Sequence, residues 1–175
     1  MQCQSDNMKW ITREHVHVDR VACPWLIRRF IDAGAEFIFV PADQVDRVAK
    51  ETGATPFDTT GAELGHHAEF CSFDAIIFKH QLQDPALMDL AAIVRAADTS
   101  DFKIAPESIG LEAIATGASM IAKDDHEAID KGMYIYDCLY AHCRLRHLRE
   151  AHAEELEQMP KNQQRRFLRE LLAKK

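Results

Sequence analysis

Residues 9 to 40 restrict the fold more than any other stretch. Lys9 to Arg13 (KWITR) alternates polar and apolar residues with Trp10 and Thr12 on one face, which predicts a short strand. Residues 14 to 23 read as a polar connection, and Pro24 to Asp32 as a helix that Ala33-Gly34 ends. Glu36 to Val40 (EFIFV) then predicts a second strand, stopped by Pro41. Strand, helix and strand within about thirty residues make a βαβ unit, whose two strands run parallel.

Beyond that unit the pattern turns helical. Asp43 to Thr52 predicts a short amphipathic helix ending at Gly53, and Thr55 to Gly65 is turn-rich with a short strand expected at Ala62 to Leu64. Helices are predicted near 73 to 82, 86 to 98, 107 to 121, 125 to 157 and 162 to 173, with Pro85, Pro106 and Pro160 between them. The expected fold class is therefore α/β: a small, few-stranded sheet started by the βαβ unit, followed by a predominantly helical C-terminal half. Residues 1–158 are expected to form a single α/β domain, and residues 159–175 a basic amphipathic C-terminal helix. In the long helix, Ile129, Met133, Tyr136, Tyr140 and Cys143 recur at steps of three and four, a stripe that predicts core.

The formal net charge of -7 disfavours general affinity for nucleic acid. The charge is uneven: residues 144 to 175 carry nine Lys/Arg against five Asp/Glu. A basic contact therefore belongs to that tail or to a local cluster, and the final helix can dock on the body, on a twin subunit in a homodimer, or on an anion. No apolar run approaches the ~20 residues of a membrane span, and no export signal is evident at the N-terminus. The five cysteines, Cys3, Cys23, Cys71, Cys138 and Cys143, are odd in number and lack CxxC spacing. Together these features predict a cytoplasmic protein in a reducing compartment.

One local cluster stands out, DRVACPWLIRRFID at 19 to 32. With Pro24 at the first helical position, Cys23 becomes the expected N-cap, where the helix dipole and free backbone N–H groups would stabilise a thiolate. A wheel at about 100° per residue puts Leu26, Ile27, Phe30 and Ile31 on one arc and Trp25, Arg28, Arg29 and Asp32 on the other. Arg20 adds a bidentate fork near Cys23, so Arg20, Trp25, Arg28 and Arg29 form a candidate cradle for a small oxyanion beside a redox-reactive Cys23. The same residues also admit a plainer reading, a surface helix with Arg–Asp pairs and a buried cysteine.

Five ordered blocks resemble the bacterial chromate-resistance family, equivalent to the C-terminal domain of the chromate-responsive regulator. They are DRVACPWLIRRFID, EFIFVPAD at 36 to 43, CSFD at 71 to 74, VRAADT at 94 to 99 and YDCLYAHC at 136 to 143. The resemblance implies a cytoplasmic role in resisting or sensing chromate. It places Asp19, Arg20, Cys23, Pro24, Trp25, Arg28 and Arg29 on its most distinctive motif, with His66, Glu69, Cys71 and Asp98 on other shared blocks. The sequence departs from the pattern at Ala68 and Ala96, where Gly is usual, and at His142, where Trp is usual. The family's regulators carry an additional N-terminal domain with no counterpart in these residues, so direct DNA binding is not expected.

An Arg pocket alone discriminates poorly between chromate and sulfate, whereas a thiolate reacts with chromate only. Complete reduction needs more electrons than one cysteine supplies, and no nucleotide-binding motif provides them. Oxyanion binding or sensing, with partial reduction at most, is the leading expectation. The alternative is a metal-binding redox enzyme using His66, Cys71 and Asp98 to hold a transition metal (Fe, Zn or Mn), joined by Glu63, Glu69 or Asp101. Two lesser metal candidates are His15 with His17 and Asp19 on an extended segment, and His142 with Cys143 and His147 on the long helix.

Overall fold

The computed structural model describes residues 7–174; Cys3 lies outside the described residues. Strand β1 (Lys9–Arg13) pairs in parallel with β2 (Glu36–Val40), and helix α1 (Val18–Phe30) connects them. The predicted βαβ unit is present. A third strand, β3 (Thr55–Pro56), pairs in parallel with the other side of β1, giving the order β2-β1-β3. This strand lies upstream of its predicted place; Leu64 forms only an isolated bridge to Phe57. Pro56 lacks the N–H that a central strand needs, which confines β3 to the edge.

As the central strand, β1 buries Trp10, Ile11 and Thr12 alike, so strict alternation is lost where both faces are covered. Ile11 faces α2 (Val45–Thr52), which ends in a left-handed Gly53, a conformation that side chains with a Cβ resist. Trp10 faces the main core, built with α3 (Ser72–Lys79), α4 (Pro85–Asp98), α5 (Ser108–Ile121) and α6 (Asp125–Ala151). Predicted and observed helices agree apart from a few boundaries. The long helix breaks at His152 into α6 and a short α7 (Ala153–Gln158).

Helix α6 packs on α1 and α4 along its predicted stripe: Ile129, Tyr136 and Cys143 are buried, while Met133 and Tyr140 are partly buried against the core. Gly132 permits the close crossing with α1, because a Cβ there would stand 2.3 Å from Val21 Cγ1. Helix α8 (Lys161–Ala173) lies against α6, where Leu168 is buried and Arg144 donates to the Leu172 and Lys174 carbonyls. No helix among the described residues is long and apolar enough to cross a membrane.

The boundary of α1 is the main departure from expectation. The helix starts six residues before Pro24, capped at His17, and Pro24 lies inside it. The start is set by tertiary contacts rather than by local signals. Asp125 at the start of α6 accepts the His15 and Val16 amides at 3.0 and 2.8 Å, and Tyr136 Oη donates to the Val18 carbonyl at 2.8 Å. Pro24 removes one intrahelical hydrogen bond, and burial of Val18, Ala22, Cys23 and Leu26 offsets that loss.

Candidate functional site

The longer α1 changes the chemistry expected of Cys23. Its sulfur is not at a helix N-terminus; it is fully buried and donates to Asp19 Oδ1 at 3.4 Å. Burial, then the adjacent Asp19 carboxylate, push the thiol well above its ordinary pKa. The thiol is therefore neutral, and the expected helix-stabilised thiolate is corrected to a buried hydrogen-bond donor.

The arginines are similarly engaged. Arg20 binds Asp58 Oδ2 at 3.1 Å and the His15 carbonyl at 2.9 Å. Arg28 pairs with Asp130 at 3.1 Å, and Arg29 grips Asp137 through two hydrogen bonds of 2.9 and 2.6 Å. Burial opposes ionisation of Asp137, but hydrogen bonds from Arg29 and Trp25 prevail and hold its carboxyl below the usual range. Trp25, expected on the polar arc, is fully buried, lies parallel to Phe73 at a ring separation of 6.4 Å and donates Nε1–H to Asp137 at 2.8 Å. The wheel assumed one solvent face, but α3, α4 and α6 surround α1. The plainer reading of these residues, Arg–Asp pairs and a buried cysteine, describes their contacts.

The convergence of ionisable groups lies at the other end of α1. Asp19 turns its carboxylate onto the N-terminus of α3, accepting the Ser72 amide at 2.8 Å and the Phe73 amide at 3.1 Å. Asp58, in a left-handed backbone conformation after Phe57, accepts from Ser72 Oγ at 3.2 Å and pairs with Arg20 and, at 3.6 Å, with Arg13. Asp98 is the last residue of α4. Between them stands His66, whose Nε2 lies 3.5 Å from Asp19 Oδ2, 3.3 Å from Asp58 Oδ1 and 3.2 Å from Asp98 Oδ2.

One imidazole nitrogen carries at most one hydrogen, so it satisfies one of these three carboxylates at a time. The hydrogen bond to Asp19 and the charges of Asp19, Asp98 and Asp58 raise the His66 pKa to about 9. Burial, reinforced by Asp19, lifts Asp98 to about 6 even though His66 opposes the shift. Burial also raises Asp58, with Asp19 adding to it and Arg20 and Arg13 opposing. Ligand atoms of Asp19, His66 and Asp98 all fall within 4.8 Å of one another, the only such set of three among the described residues.

His66 and Asp98 thus come together as expected for a metal set, but Cys71 does not join them. It caps α3 with its sulfur on Asp74 at 3.4 Å, and burial, then Asp19 and Asp74, push the thiol well above its ordinary range. Asp74 in turn binds Arg95 at 2.7 Å. Among the other expected contributors, Glu63 pairs with Lys79, and Glu69 and Asp101 are exposed outside the set. The lesser candidates do not assemble. His15 is exposed in a left-handed turn, and His17 reaches Thr116 at 3.3 Å. His142 and His147 bind Glu107 and Asp89 separately while Cys143 is buried.

Asp58 was not among the sequence candidates. Its signal is weak, an acid before Thr59-Thr60-Gly61 that reads as ordinary turn chemistry. The site opens past His66, 44% exposed, into a cleft of about 530 Å³ lined by Arg13, Thr59, Thr60, Gly61 and His67 among others. Ala68, at a position where the family pattern has Gly, sits in this loop with φ of 53°, a conformation that favours glycine.

Residues 10–143 match the family described as ChrB, C-terminal domain. The chain belongs to this family. It is also 35% identical over 140 residues to Protein ChrB of Cupriavidus metallidurans. That alignment covers 79% of this chain and 42% of the relative, so the chain spans about two-fifths of the length of the curated relative it matches. No solved structure matches. The ChrB-matching span contains Asp19, Asp58, His66 and Asp98, and leaves α7 and α8 outside it.

Proposed function

We propose that this ChrB-family chain acts in chromate resistance as a metal-binding domain, holding a divalent transition cation on Asp19, His66 and Asp98, with Asp58 completing the negative floor. The observation that carries this reading is the approach of three carboxylate oxygens to a single imidazole nitrogen within 3.5 Å. Carboxylate and imidazole donors without thiolate suit Mn, Fe or Zn better than soft metals. Two further features support a preformed site. Asp19 is locked by two α3 amides and by the Cys23 thiol, the kind of outer support that orients metal ligands. His66, the most accessible member, leaves one side open to the cleft.

Direct capture of chromate by Arg20, Trp25, Arg28 and Arg29 over Cys23 has less support, because each guanidinium is already held by hydrogen bonds to a carboxylate. The Asp19 carboxylate beside the neutral Cys23 thiol would also repel an incoming dianion.

The test is metal content and affinity. Protein stripped with chelator and titrated with MnCl2, FeSO4 or ZnCl2 should bind one ion per chain. His66→Ala and Asp98→Asn should each weaken binding by about 10- to 100-fold or more while leaving the circular dichroism unchanged. Folded wild-type protein that binds no more metal than the double variant would overturn the proposal.

A further inference from the structure

We propose that a small oxyanion binds in the cleft beside this metal, contacted by Arg13 and the Thr59–Thr60 hydroxyls, and does so only when the metal is present. The inference rests on the metal reading above and adds to it the ligand of the open side. The floor and the rim of the cleft have opposite chemistry. Asp19 and Asp58 are 1% and 4% exposed, so the acidic oxygens form a closed base. Above them, Arg13 is 47% exposed and meets Asp58 at 3.6 Å, too far for a hydrogen bond.

Among the described residues Arg13 makes no hydrogen bond through its side chain, and neither do the hydroxyls of Thr59 and Thr60. Arg13, whose one carboxylate neighbour Asp58 lies beyond hydrogen-bond reach, therefore lines one small cleft together with Thr59 and Thr60, next to His66.

Such a rim cannot hold an anion over bare carboxylates, because three buried or half-buried acids repel it at close range. A divalent ion adds two positive charges at that point, inverts the local field and offers a coordination position to an oxygen ligand. Arg13 then supplies a planar fork matched to a tetrahedral oxyanion, and the hydroxyls supply orientation. The anion and the metal become mutually dependent, each favouring the other by the same factor.

The experiment titrates sodium sulfate, sodium phosphate and potassium chromate into wild-type protein by calorimetry, with and without saturating MnCl2. The Mn2+ resonance is followed in parallel. Binding of at least one of the three anions to the manganese-loaded protein, absent from the stripped protein, is the expected result. Arg13→Ala should weaken that binding by about tenfold or more without weakening Mn2+ binding, and Thr60→Val should weaken it by a smaller factor.

Mn2+ binding with no anion response overturns this inference and leaves the metal reading standing. Failure to bind Mn2+, Fe2+ and Zn2+ alike overturns both. Equal anion affinity with and without metal overturns the dependence, as does an Arg13→Ala protein that binds anion as wild type does.

Discussion

Replacing Asp19 by Asn keeps the shape of the side chain and removes its charge, which separates the two roles assigned to it. Asn retains one oxygen, able to accept either the Ser72 or the Phe73 amide, and turns an NH2 group toward the other donor. One charge-assisted hydrogen bond is lost, worth about 1.5–3 kcal/mol, and a buried amide is left unpaired at a further cost of about 1–3 kcal/mol. Repulsion from Asp98 is relieved and attraction to His66 is lost. At an effective dielectric near 20 and separations of about 4–5 Å these are each about 3–4 kcal/mol and opposite in sign. The hydrogen bonds decide the outcome, so metal-free Asp19→Asn should be about 2.5–6 kcal/mol less stable by urea denaturation at pH 7, with an unchanged m-value. For a chain of this size that is a fall in Tm of roughly 5–24 °C. The His66 pKa, followed by NMR, should drop from about 9 toward its ordinary value, because Asp19 is its largest cause. Unchanged or greater stability, or a His66 pKa that stays near 9, would refute the capping geometry on which the site is built.

Two further outcomes follow from the correction of α1. Of the four described cysteines only Cys138 is exposed, so iodoacetamide followed by peptide mass spectrometry should mark Cys138 in the native protein and reach Cys23, Cys71 and Cys143 only on unfolding; labelling of Cys23 at the Cys138 rate would contradict its burial. Arg29→Ala removes a partly exposed pair and leaves Asp137 its bond from Trp25, so it should cost about 0.5–1 kcal/mol and leave anion binding unchanged, whereas Trp25→Ala should cost about 3–5 kcal/mol; an Arg29→Ala protein that loses anion affinity would restore the cradle around Cys23.

The legible parts of the fold were those written in local pattern. The alternation in KWITR, the apolar run EFIFV and the connection between them suffice for a parallel βαβ unit, because short right-handed crossovers leave few other arrangements. The i, i+3, i+4 stripe on α6 located a real core face, since a long helix with one apolar stripe has one way to bury it. His66 and Asp98 were legible as candidates through the family blocks. Less legible was the start of α1. Pro24 is a strong local marker of a first helical turn, but Asp125 and Tyr136, more than a hundred residues away, extend the helix through it. That shift of six residues carries Cys23 from a helix end into the core and brings Asp19 to α3.

Residue types and their spacing alone determined the α/β architecture with its βαβ start and the helical C-terminal half, and they singled out one segment, 19 to 32, as a candidate. They could not determine which of its members faces which, because wheels and caps describe an isolated element in water. Only the tertiary structure decided that Arg28 and Arg29 are bound by α6 acids and that Asp19, Asp58 and Asp98 meet around His66. The physical reason is range. Helix and strand periodicity is set over one or two turns, whereas the ionisation and pairing of a side chain depend on charges and burial contributed by elements far apart in sequence.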